Sequence, residues 1–164
     1  MGSHRPTPVN ASLFRSVFRR HAAGVAVVTA QGAQPAGFTA TSLTSLSADP
    51  PLLSFGIDSS GSSWPTVSSA EHVGVHILHE EQAQLAARFA RSGADRFAAP
   101  TSYHTGPYGV PVLDDVLALL VCRVVTRVPV GDHTLVITEP VHAEYRDAGR
   151  PLLYCYGRYA ALRT

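Results

Sequence analysis

Two hydrophobic periods run along this chain. From Ser12 to His21, Leu13, Phe14, Val17 and Phe18 recur at helical spacing, with Arg15, Arg19 and Arg20 turned outward, and the pattern predicts an amphipathic helix ended by Gly24. Val25 to Thr29 is a β-branched run that reads as a strand. Gln31 to Pro35 reads as a turn. Gly37 to Leu46 is rich in Thr and Ser, β-compatible but unusually polar. Leu52 to Ile57 is a short apolar strand after Pro50-Pro51, and Asp58 to Ser63 is a Ser/Gly loop. Trp64-Pro65 opens a short helix with Ser63 as N-cap and Pro65 in the first turn. Val73 to Leu78 predicts a strand. Glu80 to Phe89 predicts a helix with acids at its start and Arg88 and Arg91 at its end, matching the macrodipole. Ser92 to Val110 is a long irregular stretch, of a length that compact domains usually reserve for function. Leu117–Val130, Leu135–Tyr145 and Leu152–Tyr159 complete the strands, joined through Gly131-Asp132-His133 and Asp147-Ala148-Gly149.

About six strands with three short helices, and no regular crossover helix between strands, disfavour a doubly wound α/β fold. The pattern suggests a mostly antiparallel barrel closed on itself. The 164 residues fit one domain, residues 12–164, after an N-terminal stretch, 1–11, that is disordered or a cloning remnant beginning Met1-Gly2-Ser3-His4.

Composition removes several functions. The net charge is +1, which is no footprint for nucleic acid or an anionic membrane. No apolar run approaches the ~20 residues of a membrane helix, and no signal peptide is visible, so the expected location is cytoplasmic. The chain has no lysine: all 13 basic residues are Arg. Schiff-base chemistry and a Walker A loop are therefore excluded, and any phosphate must rest on Arg, hydroxyls and backbone N–H groups. Cys122 and Cys155 form no C-x-x-C pattern and read as small buried hydrophobes.

His72, His76 and His79 are the one histidine cluster. On a strand His72 and His76 lie roughly 13 Å apart at ~3.3 Å per residue, too far to share a zinc ion, and they read as a polar face alternating with Val73, Val75 and Ile77. Asp114 and Asp115, adjacent on an extended chain, point to opposite faces. Neither G-x-S-x-G nor G-x-G-x-x-G is present. Two hydroxyl-rich segments remain, Thr39 to Ser47 and Ser59 to Trp64. Each reads either as a solvated loop or edge strand, or as a polar cofactor cradle. Hydroxyls and amides suit the alternating donors and acceptors of a flavin ring. The start of the Trp64 helix suits a phosphate, with Arg96 as a charged clamp.

At these residues the sequence resembles the flavin reductase family with the FMN-binding split-barrel fold, in particular the small reductase components of two-component flavin monooxygenases. The likeness runs from about Phe14 to Tyr159. It is carried by Phe18-Arg19-Arg20, Ala23 to Ala30, Gly37 to Ser42, Ser45 to Leu52, Ser62-Ser63-Trp64-Pro65, Arg88-Phe89-Ala90 with Asp95-Arg96-Phe97, Gly131-Asp132-His133, Pro151 to Tyr154 and Gly157-Arg158-Tyr159. The resemblance implies a homodimer of split β-barrels that passes a hydride from NADH or NADPH to FMN or FAD and supplies reduced flavin to a separate monooxygenase. It implies that Thr39, Ala40, Thr41 and Ser42 meet the isoalloxazine, and that Ser47, Ala48 and Asp49 line the ribityl side. Ser62, Ser63 and Trp64 would hold the phosphate, Arg96 and Phe97 would close over the phosphate or the adenylate part, and His133 would sit at the nicotinamide side as the catalytic residue. No metal is implied. The alternatives are a split-barrel enzyme that keeps its flavin and acts directly on a small molecule, and a non-catalytic flavin- or haem-binding protein.

Overall fold

A computed structural model describes residues 5–93 and 95–163; the Met1–His4 stretch expected to be a cloning remnant lies outside them. The chain is mostly strand, with helices α1 (Ala11–Phe18), α2 (Trp64–Val67) and α3 (Ala83–Ala90). Seven strands form one sheet in the order β3-β2-β6-β9-β10-β5-β4, every neighbouring pair antiparallel. Their ranges are β2 Ala26–Gln31, β3 Pro35–Ala40, β4 Thr44–Ala48, β5 Pro51–Asp58, β6 His72–Ile77, β9 Ala118–Val130 and β10 His133–Tyr145.

Strands β3 and β4 are the two edges of this sheet, yet only residues 41–43 join them. A link that short spans at most about 14 Å. The edges must therefore lie near each other, and the sheet curls into a barrel. Ser42 Oγ, accepting the Gly56 N–H at 2.8 Å, pins the link to β5. β1 (Ala23–Gly24), β11 (Leu152–Cys155) and β12 (Arg158–Ala161) make a small second sheet, and β7 (Tyr103–Thr105) pairs β8 (Pro111–Leu113).

β2 is buried on both faces, which is why it reads as a continuous apolar run rather than an alternating one. Ala26, Val28 and Ala30 point into the barrel with Phe55, Val75 and Val136. Val25 and Val27 lie outside it beneath α3, with Leu78, Phe89 and Leu152. Gly37 admits α3 to that face: a Cβ there would stand 2.8 Å from Phe89 Cε1 and 3.0 Å from the Val28 carbonyl.

Several expectations need correction. The fold has more strands than six, because the Ser/Thr stretch splits into β3 and β4 and the last segment into β11 and β12. Glu80 and Glu81 precede α3 instead of opening it; Glu80 is taken by an ion pair with Arg150 at 3.0 Å. The irregular stretch contains β7, which pairs with β8 just beyond its end. His76 is not on a polar face. It is fully buried, its Nδ1 at 2.9 Å from the Val27 carbonyl and its Nε2 accepting the Leu113 N–H at 3.0 Å. The apolar stripe of α1 meets no core either: Phe14, Val17 and Phe18 are each more than half exposed. No helix among the described residues is long and apolar enough to cross a membrane.

Candidate functional site

A cavity of about 720 Å³ opens where the barrel closes, between β3 with its 41–42 link, the β5 end, the 58–63 loop and α3. Its size lies within the range of small-molecule sites. Four distant stretches of sequence meet there because the sheet curls. His133, the first residue of β10, pairs directly with Asp58, the last of β5. The two-residue turn Gly131-Asp132 starts β10 at that point, since Val130 pairs with His133 across it.

The wall is largely polar on one side. Thr39, Ala40, Thr41 and Ser42 line it, with Gly56, Asp58, Ser60, Ser62 and Ser63. Phe38, Ile57 and Phe89 supply an apolar wall. Several hydroxyls already have internal partners. Thr39 Oγ1 donates to the Ala86 carbonyl at 2.6 Å. Ser63 does not cap α2 with its side chain; its hydroxyl donates to the Gly37 carbonyl at 2.9 Å and accepts from Arg96 Nη1 at 3.1 Å. α2 is a single turn, too short for a large dipole. Thr41 and Ser42 remain exposed at the rim.

Three charged or titratable groups face the cavity. Arg96 donates to the Gly37 and Arg91 carbonyls and to Ser63, and partial burial pulls its pKa down from the ordinary value. The Ser60 N–H and hydroxyl hold the Asp58 carboxyl below the usual range, with a smaller contribution from His133. The His133 ring lies 2.7 Å from Asp132 Oδ1 through Nδ1. A carboxylate only accepts, so Nδ1 carries the proton there and Nε2 is left for the cavity.

Not every expected residue reaches this wall. Trp64 packs against the barrel core, with Phe38 and Val67. Phe97 stacks edge-on to Phe89 at 5.1 Å and lines a neighbouring cavity of about 310 Å³ that also takes in Asp95 and Arg96. Ser47, Ala48 and Asp49 lie at the outer end of β4. Ser47 pairs with Leu52, while Gly56 marks the cavity end of β5, so these three stand off the wall of a single chain. Sequence reading missed Gly56, Asp58 and Phe89. A glycine inside a strand and an Asp two residues before a Ser are the signals that could have found the first two.

The fit to a flavin is a matter of donor set and size: a flat polar edge of backbone and hydroxyl groups, an apolar wall, and an arginine at one end. Among the described residues no group of three or more His, Cys, Asp or Glu could hold a metal ion.

Comparison with known proteins agrees. The family model described as the flavin reductase like domain matches residues 18–163. An NADH:FMN oxidoreductase of Rhodococcus qingshengii is 46% identical over 158 residues, covering 93% of this chain and 82% of the relative. The reductase component of a 4-nitrophenol 4-monooxygenase/4-nitrocatechol 2-monooxygenase from Rhodococcus opacus is 37% identical over 153 residues, covering 93% and 81%. The crystal structure of a flavin reductase domain protein from Arthrobacter sp. FB24 matches with a TM-score of 0.88 at 40% identity, over 94% of this chain and 97% of that one.

Proposed function

The chain belongs to the flavin reductase like domain family, and from that premise we propose that it is an NAD(P)H:flavin oxidoreductase delivering reduced flavin to a separate monooxygenase. In that reaction a hydride leaves nicotinamide C4 with two electrons and joins flavin N5, and a solvent proton completes the reduced flavin. The observation that carries the reading is the 720 Å³ cavity, whose wall offers hydroxyls, amides, one arginine, the Asp58 carboxylate held by Ser60 and the His133 imidazole held by Asp132. Such a wall suits the positioning of two rings.

The roles follow from where each group stands. The 39–42 backbone and the Thr41 and Ser42 hydroxyls meet the polar edge of the flavin ring. Phe38 and Phe89 supply apolar contact. Ser62 and Arg96 stand at the phosphate end, with Ser63 holding Arg96 in place. His133, oriented by Asp132, presents Nε2 to the nicotinamide.

The active assembly is a homodimer. An amphipathic helix with no buried residue supports it: the Leu13, Phe14, Val17 and Phe18 face of α1 asks for a second copy. The reading places the enzyme in the cytoplasm, with its nicotinamide nucleotides.

The test is NADH consumption by the purified protein, with and without added FMN or FAD. Turnover that requires added flavin supports the reading, and the better flavin names the substrate. Absence of turnover with either flavin and either nicotinamide overturns it. Turnover without added flavin, in a yellow protein, assigns a resident cofactor instead.

A further inference from the structure

α2 is one turn long, and a helix that short is marginal on its own in water. Its seat decides where Ser62 and Ser63 stand, because the 58–63 loop runs directly into it. The turn is tied internally: the Val67 N–H donates to the Ser63 carbonyl at 3.0 Å, and the Ser68 N–H to the Trp64 carbonyl at 2.7 Å. Trp64 and Val67 set it against the barrel core. At its front, the Ser63 hydroxyl is fastened to the Gly37 carbonyl and to Arg96.

The back of the same turn is gripped by a residue from far along the chain. Arg127 of β9 donates to the Val67 carbonyl through Nε at 3.2 Å and Nη2 at 2.7 Å, and Nη2 also donates to the Ala70 carbonyl at 2.6 Å. Arg127 pairs with Val136 of β10, which is fully buried in the barrel, so its side chain sets out from the inner face. Among the described residues no carboxylate pairs with it. The guanidinium is half-buried, and desolvation pulls its pKa down from the ordinary value. A half-buried cation aimed at the last carbonyls of one short helix holds that helix in place.

We propose that Arg127 is a positioning residue for the flavin phosphate. It holds α2 from behind, and through the Val67–Ser63 hydrogen bond it sets where the 62–63 segment and Arg96 meet the phosphate. Arg127 itself stands outside the cavity wall, so it acts through α2 and not by contact. The two arginines bracket one turn, Arg96 at Ser63 and Arg127 at Val67. A shift of about 1 Å in that turn is enough to weaken a directional phosphate contact. The 39–42 segment, which meets the ring, is not among the groups Arg127 touches. Its loss therefore falls on the phosphate end alone. This assignment rests on the reductase reading above and adds to it a residue that the cavity wall does not show.

The experiment measures binding of FMN and of riboflavin, which lacks the phosphate, by flavin fluorescence in wild type, Arg127→Met and Arg127→Lys. NADH oxidation with each flavin is followed alongside. The expected result for Arg127→Met is a rise of about fivefold in the FMN Kd and KM, part of a charge-assisted contact. Riboflavin binding stays within about twofold of wild type, and kcat at saturating FMN is unchanged. Arg127→Lys, which keeps the charge but loses the fork, recovers part of the loss, and it decides by the same ratio if the methionine variant does not fold. His76→Phe is the control for destabilisation alone, and its FMN-to-riboflavin ratio stays at the wild-type value. An unchanged ratio in the Arg127 variants, or a shift of the same size in His76→Phe, overturns the assignment while leaving the reductase intact. So does a wild type that holds FMN no tighter than riboflavin. A wild type that binds no flavin and oxidises no nicotinamide overturns both.

Discussion

His76 Nε2 accepts the backbone N–H of Leu113 at 3.0 Å, so the imidazole of β6 fastens the start of the 113–117 connection to the barrel wall. Because Nε2 accepts, Nδ1 carries the proton and donates to the Val27 carbonyl. Burial pushes the pKa down from 6.5 to about 4, mainly through desolvation of the charged form.

That depression sets a pH window. The unfolded chain binds the proton near pH 6.5 and the folded one only near 4, so stability is complete above 6.5, falls between 6.5 and 4, and levels off below. The full loss is about 3 kcal/mol by the usual conversion. Urea unfolding at pH 7, 5.5 and 4 checks it. His76→Phe, which strands the Val27 carbonyl and the Leu113 N–H, is expected to lower stability at pH 7 by about 2–4 kcal/mol and to lack most of that slope. A variant with the same slope as wild type removes His76 as its source.

Gly37→Ala tests the seat of α3. The added methyl meets Phe89 Cε1 at 2.8 Å, closer than real contacts allow, and the Val28 carbonyl at a tight 3.0 Å. The expected cost is about 1–3 kcal/mol, with a weaker flavin KM because Phe89 and Ala90 line the cavity. Wild-type thermal stability in this variant contradicts the packing argument.

His133→Ala is expected to slow NADH oxidation at saturating flavin by about tenfold, a positioning effect rather than loss of a proton shuttle. Asp132→Asn, which still offers an acceptor to Nδ1, is expected to fall between it and wild type. Unaltered turnover in His133→Ala takes the imidazole out of the reaction.

Arg96→Ala separates two roles. Its guanidinium already bridges Gly37, Ser63 and Arg91. If it also meets the flavin phosphate, KM for FMN rises about tenfold and KM for riboflavin, which has no phosphate, rises less. Equal rises show that Arg96 only braces the cavity.

Cys122 is buried, and desolvation raises its pKa to about 11. It is expected to resist a thiol reagent at pH 8 in the folded protein, leaving at most one equivalent, from Cys155. Two equivalents without denaturant contradict the burial.

The periodicities of the chain carried the strands, the turns and the barrel class, because strand alternation and Gly, Pro, Asp and Asn turn chemistry are local. The missing lysine and missing nucleophile motifs narrowed the chemistry, since composition does not depend on folding. The hydroxyl segments also showed themselves, but not which of their groups would be free. Ser63, Thr39 and Ser42 look alike in sequence to Thr41, yet the first two spend their hydroxyls on the Gly37 and Ala86 carbonyls and the third takes the Gly56 N–H. Only the curled sheet sets His133 opposite Asp58 and brings Arg96 to Ser63, contacts between residues dozens of positions apart. The same holds for His76, whose alternation with valines reads as a solvated face until β8 covers it. Local pattern fixes which elements form, while long-range pairing and burial decide which polar atoms those elements leave to a ligand.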